Sequence, residues 1–152
     1  MKRPRSAALN RIKRFFFRVL SRTGVALYSR APIFGPLRAS VVIIRNGNLI
    51  LVIDRSDGRG LSFPGGIALP WEKAEEALRR EVLEETGLQI EKASFLFRYP
   101  SSADIPCFLT VFEGAATGEI TESWEGLPRW LPWTEIRTLL LPSQKEIVDR
   151  LP

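Results

Sequence analysis

Three glutamates in one segment of the chain, Glu81, Glu84 and Glu85, have a spacing that lets them act together. They stand at positions i, i+3 and i+4, so on an α-helix all three project from one side. Carboxylates crowded on one helical face repel one another, and a divalent cation relieves that repulsion. Because hard oxygen ligands of this kind suit Mg²⁺ or Mn²⁺, the spacing predicts a metal site. The alternative is a charged surface helix with i,i+4 ion pairs.

The residues around the glutamates favour the metal site over the surface helix. A glycine turn, Phe63-Pro64-Gly65-Gly66, precedes them, and Gly87 follows them as a stop. We predict a helix from about Trp71 or Glu72 to Thr86. Its core face is expected to consist of Ala74, Ala77, Leu78 and Val82. The adjacent flank, which carries the three glutamates, is then free to face a cleft.

The segment from Gly66 to Leu88 resembles the Nudix box. The pattern is Gly, five residues, Glu, seven residues, Arg-Glu, an aliphatic residue, any residue, Glu-Glu, any residue, Gly and an aliphatic residue, and the segment meets every fixed position. The resemblance implies a MutT-like Nudix hydrolase, which uses Mg²⁺ or Mn²⁺ to drive water onto phosphorus and cleave a pyrophosphate bond. The implied substrate is a nucleoside diphosphate linked to another moiety. The implied fold is α+β, an α/β/α sandwich with a mixed β-sheet between helices.

Positions in the box also imply roles for individual residues. Glu81, Glu84 and Glu85 are expected to hold the metal, together with the carbonyl oxygen of Gly65. The resemblance leaves two roles open for Glu81, which is either a metal ligand or the base that deprotonates water.

Three further residues are expected to assist catalysis. Glu72 begins the predicted helix, where the helix dipole favours an anion. Arg80 is expected to pair with a box glutamate and fix its orientation. Nudix members often draw another acid from a loop ahead of a tryptophan strand. Glu125, five residues before Trp130, matches that arrangement best, with Glu122 as the alternative.

Candidate substrate-binding residues lie on either side of the glycine turn. Arg55 precedes the turn, and the aromatic residues Phe63 and Trp71 could stack on a base. Core packing is the alternative for each aromatic residue. The residues that mark Nudix substrate subclasses are mostly missing, so the identity of the nucleotide stays open.

The composition limits the available chemistry. The chain has no histidine and one cysteine, Cys107, which lies in an apolar run and is expected to be buried and inert. Histidine acid–base chemistry, serine triads of the usual type and most zinc sites are therefore excluded. Catalysis is left to carboxylates, lysine, arginine and a metal.

Charge is distributed unevenly along the chain. Residues 1–53 contain eleven of the 22 Lys and Arg residues and no acidic residue, whereas the rest holds the other eleven and all 17 acids, for a net charge of −6. A pocket in the acidic part would repel a phosphate substrate. A divalent cation is therefore needed both by the protein and as a bridge to the substrate.

Residues 1–36 are predicted to form an N-terminal extension and connector, and residues 37–152 the Nudix domain. Within the extension, residues 6–22 have the periodicity of a basic amphipathic helix. Packing on the domain, contact with an anionic membrane surface and self-association as a homodimer are alternatives for this helix. No base-reading or stacking motif supports nucleic-acid binding. We expect a cytoplasmic enzyme, with peripheral membrane association as an alternative.

A second class of function stays open. In it, the chain is a catalytically silent Nudix-fold module that the basic helix recruits to a membrane or a partner. The complete set of acids argues against this class, because a pure binding module has no need of carboxylates that repel one another.

The remaining sequence predicts a mixture of strands and helices. Two β-rich runs, residues 39–45 and 48–54, flank Asn46-Gly47, which predicts a hairpin with a type I′ turn. Further strands are expected over residues 88–99 and 106–114. Helices are expected over residues 133–140 and 143–151. Ser143 is expected to cap the last helix.

Overall fold

The computed structural model describes Ile12 and residues 36–151. Within this part, the strands are β1 (Leu37–Asn46), β2 (Leu49–Arg55), β3 (Leu61–Ser62), β4 (Gly65–Ile67), β5 (Gln89–Ser101), β6 (Cys107–Thr117) and β7 (Gly126–Pro132). The helices are α1 (Ala74–Thr86), α2 (Trp133–Leu139) and α3 (Pro142–Arg150). Apart from Ile12, the helix predicted over residues 6–22 lies outside the described residues. None of the helices in the described part is long and apolar enough to cross a membrane.

The strands form a mixed β-sheet in which β1 is the central element. The strand order is β3-β2-β1-β6-β5, with β4 also paired to β1 and β7 to β2. Strands β1 and β6 run parallel, from Leu37 opposite Cys107 to Ile44 opposite Gly114. The other pairings are antiparallel. The prediction of a mixed sheet is confirmed.

Alternate side chains of β1 face two separate hydrophobic layers. The layer on the α1 side includes Val42, Ile44, Leu78 and Val82. The layer on the opposite side includes Val41, Ile43, Ile136 from α2 and Ile147 from α3. Each such aliphatic side chain stabilises the fold by about 1.5–3 kcal/mol when it is fully buried. The sheet therefore lies between helices, and the predicted α/β/α sandwich is confirmed.

Helix α1 begins two to three residues later than the sequence predicts. Lys73 is the N-cap, and its backbone N–H donates to the Glu76 carboxylate at 2.9 Å. Glu72 lies outside the helix, because its carboxylate accepts a hydrogen bond from the backbone N–H of Leu69 at 2.8 Å. The prediction that Glu72 starts the helix is wrong, since this local bond closes the loop ahead of it.

The predicted end and core face of α1 are confirmed. Gly87 has a φ of 75°, and its N–H donates to the carbonyl oxygen of Leu83, which ends the helix. The fully buried hydrophobic residues of the helix are Ala77, Leu78 and Val82.

Two local predictions are wrong. The loop of the β1–β2 hairpin is Gly47-Asn48, because Asn46 pairs with Leu49. Gly47 has a φ of 61° and no described non-glycine residue has a positive φ, so the turn meets the type II′ condition and not the type I′ condition. Helix α3 begins at Pro142, so Ser143 lies inside the helix and is not its cap. Proline suits this first position because its fixed φ is already helical.

Gly65 brings β4 very close to β1. Its φ is 138°, and a Cβ at this position would overlap the backbone oxygen of Ser40. The residue before Gly65 also bonds β1, because the carbonyl of Pro64 accepts a hydrogen bond from the N–H of Val42 at 2.9 Å. Only glycine fits this backbone position, which presents the strand edge to α1.

Replacing Gly65 with alanine is expected to lower the free energy of unfolding by about 1–3 kcal/mol more than replacing Gly47 with alanine. A positive φ strains any side chain at either position, but a Cβ at Gly47 meets no atom within 4 Å. Urea unfolding of the two variants measures the difference. Equal losses would show that backbone conformation alone, and not the approach to Ser40, requires glycine at position 65.

Candidate active site

Glu85 joins helix α1 to strand β4. Its side chain is almost completely buried, with 4% exposed. Its Oε2 accepts a hydrogen bond from the backbone N–H of Gly65 at 3.0 Å. The glycine that allows β4 to approach β1 therefore also supplies the donor that holds this carboxylate.

Glu81 lies directly over the next glycine. A Cβ on Gly66 would come within 2.6 Å of Glu81 Cδ and 2.7 Å of its Oε2. The Glu81 side chain is only 15% exposed. The box glycine is thus required because the carboxylate of Glu81 occupies the space that a side chain at position 66 would need.

Arg80 fixes the orientation of Glu81. Its Nη1 donates to Glu81 Oε1 at 2.7 Å, and its Nε donates to Glu72 Oε1 at 2.7 Å. Its Nη2 donates to Glu72 Oε2 at 2.8 Å and to the carbonyl of Ile67 at 3.1 Å. Hydrogen bonding to Arg80 lowers the pKa of Glu72 to about 2. The resemblance implied that Arg80 pairs with a box glutamate, and the structure contains such a pair.

Glu125 reaches the same region from the loop before β7. The backbone N–H of Ser56 donates to the Glu125 carbonyl at 2.8 Å, and Ser123 Oγ accepts from the Glu125 N–H at 3.2 Å. Gly126 follows, and a Cβ there would come within 2.7 Å of the Asp54 carbonyl oxygen. These contacts hold the loop against the end of β2 and place Glu125 near the box acids.

Burial raises the pKa of three carboxyl groups in this region. Loss of solvation is the largest cause for each, and it raises the pKa of Glu85 to about 8 and the pKa of Glu81 and Glu125 above the usual value. The charge of Glu81 adds to the rise in the pKa of Glu85 and of Glu125. Arg55 opposes it for those two groups, and Arg80 opposes it for Glu81. The three acids therefore lie within electrostatic reach of one another.

These acids line a cavity of about 430 Å³. Glu81, Glu85 and Glu125 form one acidic part, and a fourth acid, Asp104, also lines the cavity and accepts a hydrogen bond from the Ser143 N–H at 2.9 Å. Its basic part is formed by Arg55 and Arg59. An apolar part is formed by Leu37, Ala39, Val41, Ile105 and Leu109. One cavity thus offers carboxylates, guanidinium groups and an apolar surface, a combination that suits a ligand with an anionic end and an aromatic end.

The NUDIX domain family matches residues 35–151 of this chain, a range that includes the whole cavity. The chain belongs to the NUDIX domain family. A Bacillus subtilis (strain 168) protein named "Putative 8-oxo-dGTP diphosphatase" is 30% identical over 115 residues, which are 73% of this chain and 76% of that protein. A second protein of that organism, "Putative 8-oxo-dGTP diphosphatase YtkD", is 47% identical over 58 residues, or 38% of this chain and 36% of that protein. The predicted family and the hydrolase class are confirmed.

Solved structures of MutT proteins share the Nudix fold of this chain. The MutT NUDIX hydrolase from Burkholderia pseudomallei aligns with a TM-score of 0.68 at 20% identity, over 77% of this chain and 98% of that one. The MutT protein from Bacillus halodurans aligns with a TM-score of 0.64 at 21% identity, over 75% of this chain and 80% of that one. At such identities the likeness shows the fold, and it confirms the predicted Nudix architecture.

Nudix proteins generally depend on a divalent metal, and the donor chemistry of this site fits one. Glu81, Glu85 and Glu125 offer carboxylate oxygens that repel one another beside one cavity, and hard cations take such ligands. No three acidic or cysteine side chains in residues 36–151 are already gathered as a metal-ligand set. Arg80 holds Glu81 and the Gly65 N–H holds Glu85 instead.

The structure divides the predicted catalytic and metal-binding residues into two groups. Those that line the cavity are Gly65, Glu81, Glu85 and Glu125. Glu72 and Arg80 lie outside the lining, and Arg80 contacts it through Glu81 and through the carbonyl of Ile67. Glu84 also lies outside it, with a side chain that is 59% exposed and 3.6 Å from Arg80. Its predicted role as a ligand stays a prediction.

The three predicted substrate-binding residues have different positions. Arg55 lines the cavity. Phe63 is fully buried and its ring stacks on Trp133 at 6.3 Å between centroids, so the prediction that Phe63 contacts substrate is wrong and its role is core packing. Trp71 is 78% exposed and is not among the residues that line the cavity.

Several residues of the cavity wall were missed in the sequence. Arg59 lines the basic part and is held by Asp57. The alternation Arg55-Ser-Asp57-Gly-Arg59 places opposite charges two residues apart and could have indicated this cluster. Gln144 lines the wall from α3, where its Oε1 accepts from the Phe63 N–H at 2.6 Å. No local pattern indicates that contact, because it joins residues 81 positions apart.

Replacing Glu85 with glutamine is expected to stabilise the metal-free protein at alkaline pH by about 1 kcal/mol or more. The folded state keeps Glu85 protonated up to a pKa of about 8, whereas the unfolded chain ionises it near 4.5, so its burial lowers stability as the pH rises through that interval. Glutamine removes this loss and keeps an oxygen that accepts from Gly65.

Urea unfolding in EDTA between pH 5 and pH 9 measures this effect. Glu84→Gln is the matched control on the same helix, because the Glu84 side chain is 59% exposed and a surface change of this kind is expected to alter stability by less than about 0.5 kcal/mol. A Glu85→Gln variant with the same pH profile as the unsubstituted protein would contradict the prediction.

Proposed function

We propose that this Nudix protein hydrolyses a pyrophosphate bond in a nucleoside diphosphate linked to another moiety, with Mg²⁺ or Mn²⁺ as cofactor. The observation that carries the proposal is the convergence of three largely buried carboxylates and two guanidinium groups on one cavity. Isolated carboxylates are costly to bury, and their concentration in one place indicates a site that binds a cation. The adjacent arginines then suit the anionic phosphates of the substrate.

The carboxylates have distinct tasks in this proposal. Glu81 and Glu85 would hold the divalent cation, with Glu84 and the Gly65 carbonyl as further candidate ligands. When bound, the cation supplies an activated water and neutralises charge on phosphoryl oxygens. Glu81 and Glu125 are our two candidates for the base that would take a proton from the attacking water. Both line the cavity, and the kinetics of their glutamine variants distinguish between them.

Arg80 and Glu72 support the site without lining it. Arg80 bonds Glu72, Glu81 and the carbonyl of Ile67, so it ties the loop after β4 to helix α1. Loss of that arginine would release Glu81 and the loop together. We therefore assign Arg80 and Glu72 a positioning role, in which they keep the Glu81 carboxylate directed at the cavity.

The substrate proposal draws on the shape of the cavity and on the relatives. The cavity has about 430 Å³, within the range of small-molecule sites, and its apolar wall can pack against a nucleobase. Two similar proteins carry names that describe 8-oxo-dGTP diphosphatases. We therefore place 8-oxo-dGTP first among the nucleotides to be tested, followed by unmodified nucleoside triphosphates and nucleotide sugars.

The silent binding module remains the alternative function. Its discriminating observation is turnover, because both functions are compatible with nucleotide binding. The complete set of box acids favours the hydrolase, since binding alone does not require a carboxylate as deeply buried as Glu85.

Glu81→Gln and Glu85→Gln are each expected to lower kcat about 100-fold or more, because each replaces a carboxyl group that can ionise to bind the cation with an amide that cannot. Phosphate and pyrophosphate release from the nucleotide panel, with Mg²⁺, with Mn²⁺ and in EDTA, measures the effect. Glu75→Gln is the matched control on α1, since Glu75 pairs with Arg79 on the exposed face. Hydrolysis that persists in EDTA, or that survives Glu85→Gln, would rule out this site.

Deleting residues 1–24 is expected to leave kcat within about twofold, because the family match begins at residue 35 and the cavity residues lie between positions 37 and 144. Steady-state kinetics of the truncated protein measure this. The same variant tests the other roles predicted for the N-terminal helix, with sedimentation for self-association and anionic vesicles for membrane contact. A large loss of kcat in a folded truncated protein would place that segment in catalysis.

A further inference from the structure

The face of the β-sheet that packs against α1 carries exposed aromatic side chains at one end. Val42 of β1 lies in the α1 layer, and by strand alternation Arg38 is on the same face. Phe108, opposite Arg38 on β6, shares that face and is exposed. Phe95 of β5 contacts Phe112 of the same layer edge-to-face and is 62% exposed. Helix α1 therefore leaves the end of the sheet face at the start of β1 and β6 open.

The loop after β4 extends this exposed surface. Arg38 Nη2 donates to the carbonyl oxygen of Leu69 at 3.0 Å and to that of Pro70 at 2.9 Å. These two bonds hold the loop beside the open end of the sheet face, where Leu69 and Trp71 are both exposed. We call the exposed apolar side chains of the loop and of the two strands the apolar patch: Leu69, Trp71, Phe95 and Phe108.

Positive charge borders the apolar patch. Arg98 Cζ lies 4.8 Å from the centre of the Phe108 ring, and the side chains of Arg98 and Arg38 are both exposed. The three acids that follow the loop, residues 72, 75 and 76, each accept a hydrogen bond from the protein. The patch therefore combines aromatic rings with guanidinium groups, and this combination suits a bilayer interface that carries negative charge.

The N-terminal extension joins the domain beside the patch. After Ile12, the described chain resumes at Pro36, two residues before Arg38. The 35 residues ahead of Pro36 contain nine Lys and Arg residues and no acid. Ile12, which belongs to the apolar stripe of the predicted helix, is helical and 55% exposed. An apolar residue of the basic extension and the apolar patch are therefore both open to solvent.

We propose that the apolar patch, together with the basic N-terminal extension, docks on the surface of a membrane that contains anionic lipids. The patch and the extension have the same character, because each combines apolar side chains with positive charge. Their like charge disfavours packing of one on the other, whereas an anionic bilayer surface complements both. The inference does not depend on the proposed function, since it concerns where the protein binds and not what it hydrolyses.

Docking through this face directs the apolar wall of the cavity away from the membrane. That wall includes Ala39, Val41 and Leu109, which pack in the layer of α2 and α3. These residues alternate along β1 and β6 with the residues on the side of the patch. The patch and the apolar wall are therefore on opposite faces of the same strands.

Sedimentation of the full chain with lipid vesicles measures the docking. Vesicles of phosphatidylcholine with about a third phosphatidylserine are compared with vesicles of phosphatidylcholine alone. We expect tighter binding to the anionic vesicles, and weaker binding as the salt concentration rises from about 0.1 M to about 0.5 M. Phe95→Ala is expected to weaken binding about tenfold, because it removes an apolar ring from the interface. Arg98→Gln is expected to weaken it about fivefold, because it removes one charge at an anionic surface.

Matched controls come from helix α2 on the opposite side of the sheet. Leu139 is an exposed apolar residue, and Arg137 is an exposed arginine that pairs with Asp149 at 2.6 Å. Leu139→Ala and Arg137→Gln are expected to leave vesicle affinity within about twofold. Thermal melting of all four variants checks folding. Nucleotide hydrolysis in solution is measured separately and is expected to be unchanged in Phe95→Ala and Arg98→Gln, so a failure of docking is distinguishable from a failure of the proposed function.

Tryptophan fluorescence tests whether the patch itself enters the interface. Brominated lipids in the anionic vesicles quench a tryptophan that reaches the boundary between headgroups and acyl chains. We expect quenching of the unsubstituted protein, and we expect Trp71→Phe to remove most of it. Because phenylalanine keeps an aromatic ring in the patch, the affinity of Trp71→Phe for the vesicles is expected to stay within about threefold.

Four results would overturn the inference. The unsubstituted protein binds neither kind of vesicle. The patch variants bind anionic vesicles as tightly as the unsubstituted protein, and only deletion of residues 1–24 abolishes binding, which assigns the docking to the extension alone. Deletion of residues 1–24 strengthens binding, which shows that the extension itself covers the patch. Sedimentation without vesicles shows a dimer that Phe95→Ala dissociates, which makes a second copy of the chain the occupant of the patch.

Discussion

The Glu85 carboxylate lies buried against the backbone N–H of Gly65, and this contact fixes the geometry of the site. It joins the helix that carries the acids to the strand edge that forms the cavity wall. Because β4 pairs with β1 through Ala39 to Val41, the contact also relates α1 to the centre of the sheet. Two glycines make it attainable, since Gly65 lets the strands approach and Gly66 leaves room for Glu81. The box residues therefore connect helix α1, the glycine turn and strand β1.

Charge balance explains why the site is built from two opposed groups. The acids raise the pKa of one another and sit where solvent is largely excluded. Arg55, which lines the same cavity, moderates this repulsion, because its charge opposes the rise in the pKa of Glu85 and of Glu125. A cation and a polyphosphate together would satisfy both groups. A site with these two opposed groups is therefore complementary to the ligands of a Nudix hydrolase.

Local sequence patterns correctly predicted the helices and strands whose residues repeat with a regular period. The spacing of Glu81 and Glu85 placed both on one flank of a helix, and the apolar stripe beside them packs against the sheet as predicted. The β-rich run of residues 39–45 indicated a strand, and the structure has one there as β1. These features follow from residue type and spacing within about ten positions, which is the range over which helix and strand periods can be read.

Contacts between segments that are far apart in the sequence could not be predicted from local patterns. Phe63 and Trp71 are both aromatic and both flank the glycine turn, yet one is fully buried and the other is 78% exposed. Their difference arises from α2, which brings Trp133 onto Phe63 and not onto Trp71. Gln144 likewise enters the wall because α3 returns to the turn 81 residues later in the chain.

The contrast between Arg80 and Arg59 shows how far a motif can guide the assignment of function. Arg80 occupies a fixed box position, so pairing with a box glutamate followed from the resemblance, and in the structure Arg80 bonds both Glu81 and Glu72. Arg59 occupies no such position, but it lines the cavity and is held by a fully buried aspartate. A motif records residues that act on chemistry common to a family. A motif of this kind therefore leaves out the parts of the cavity wall that the rest of the chain contributes, and Arg59 is one of them.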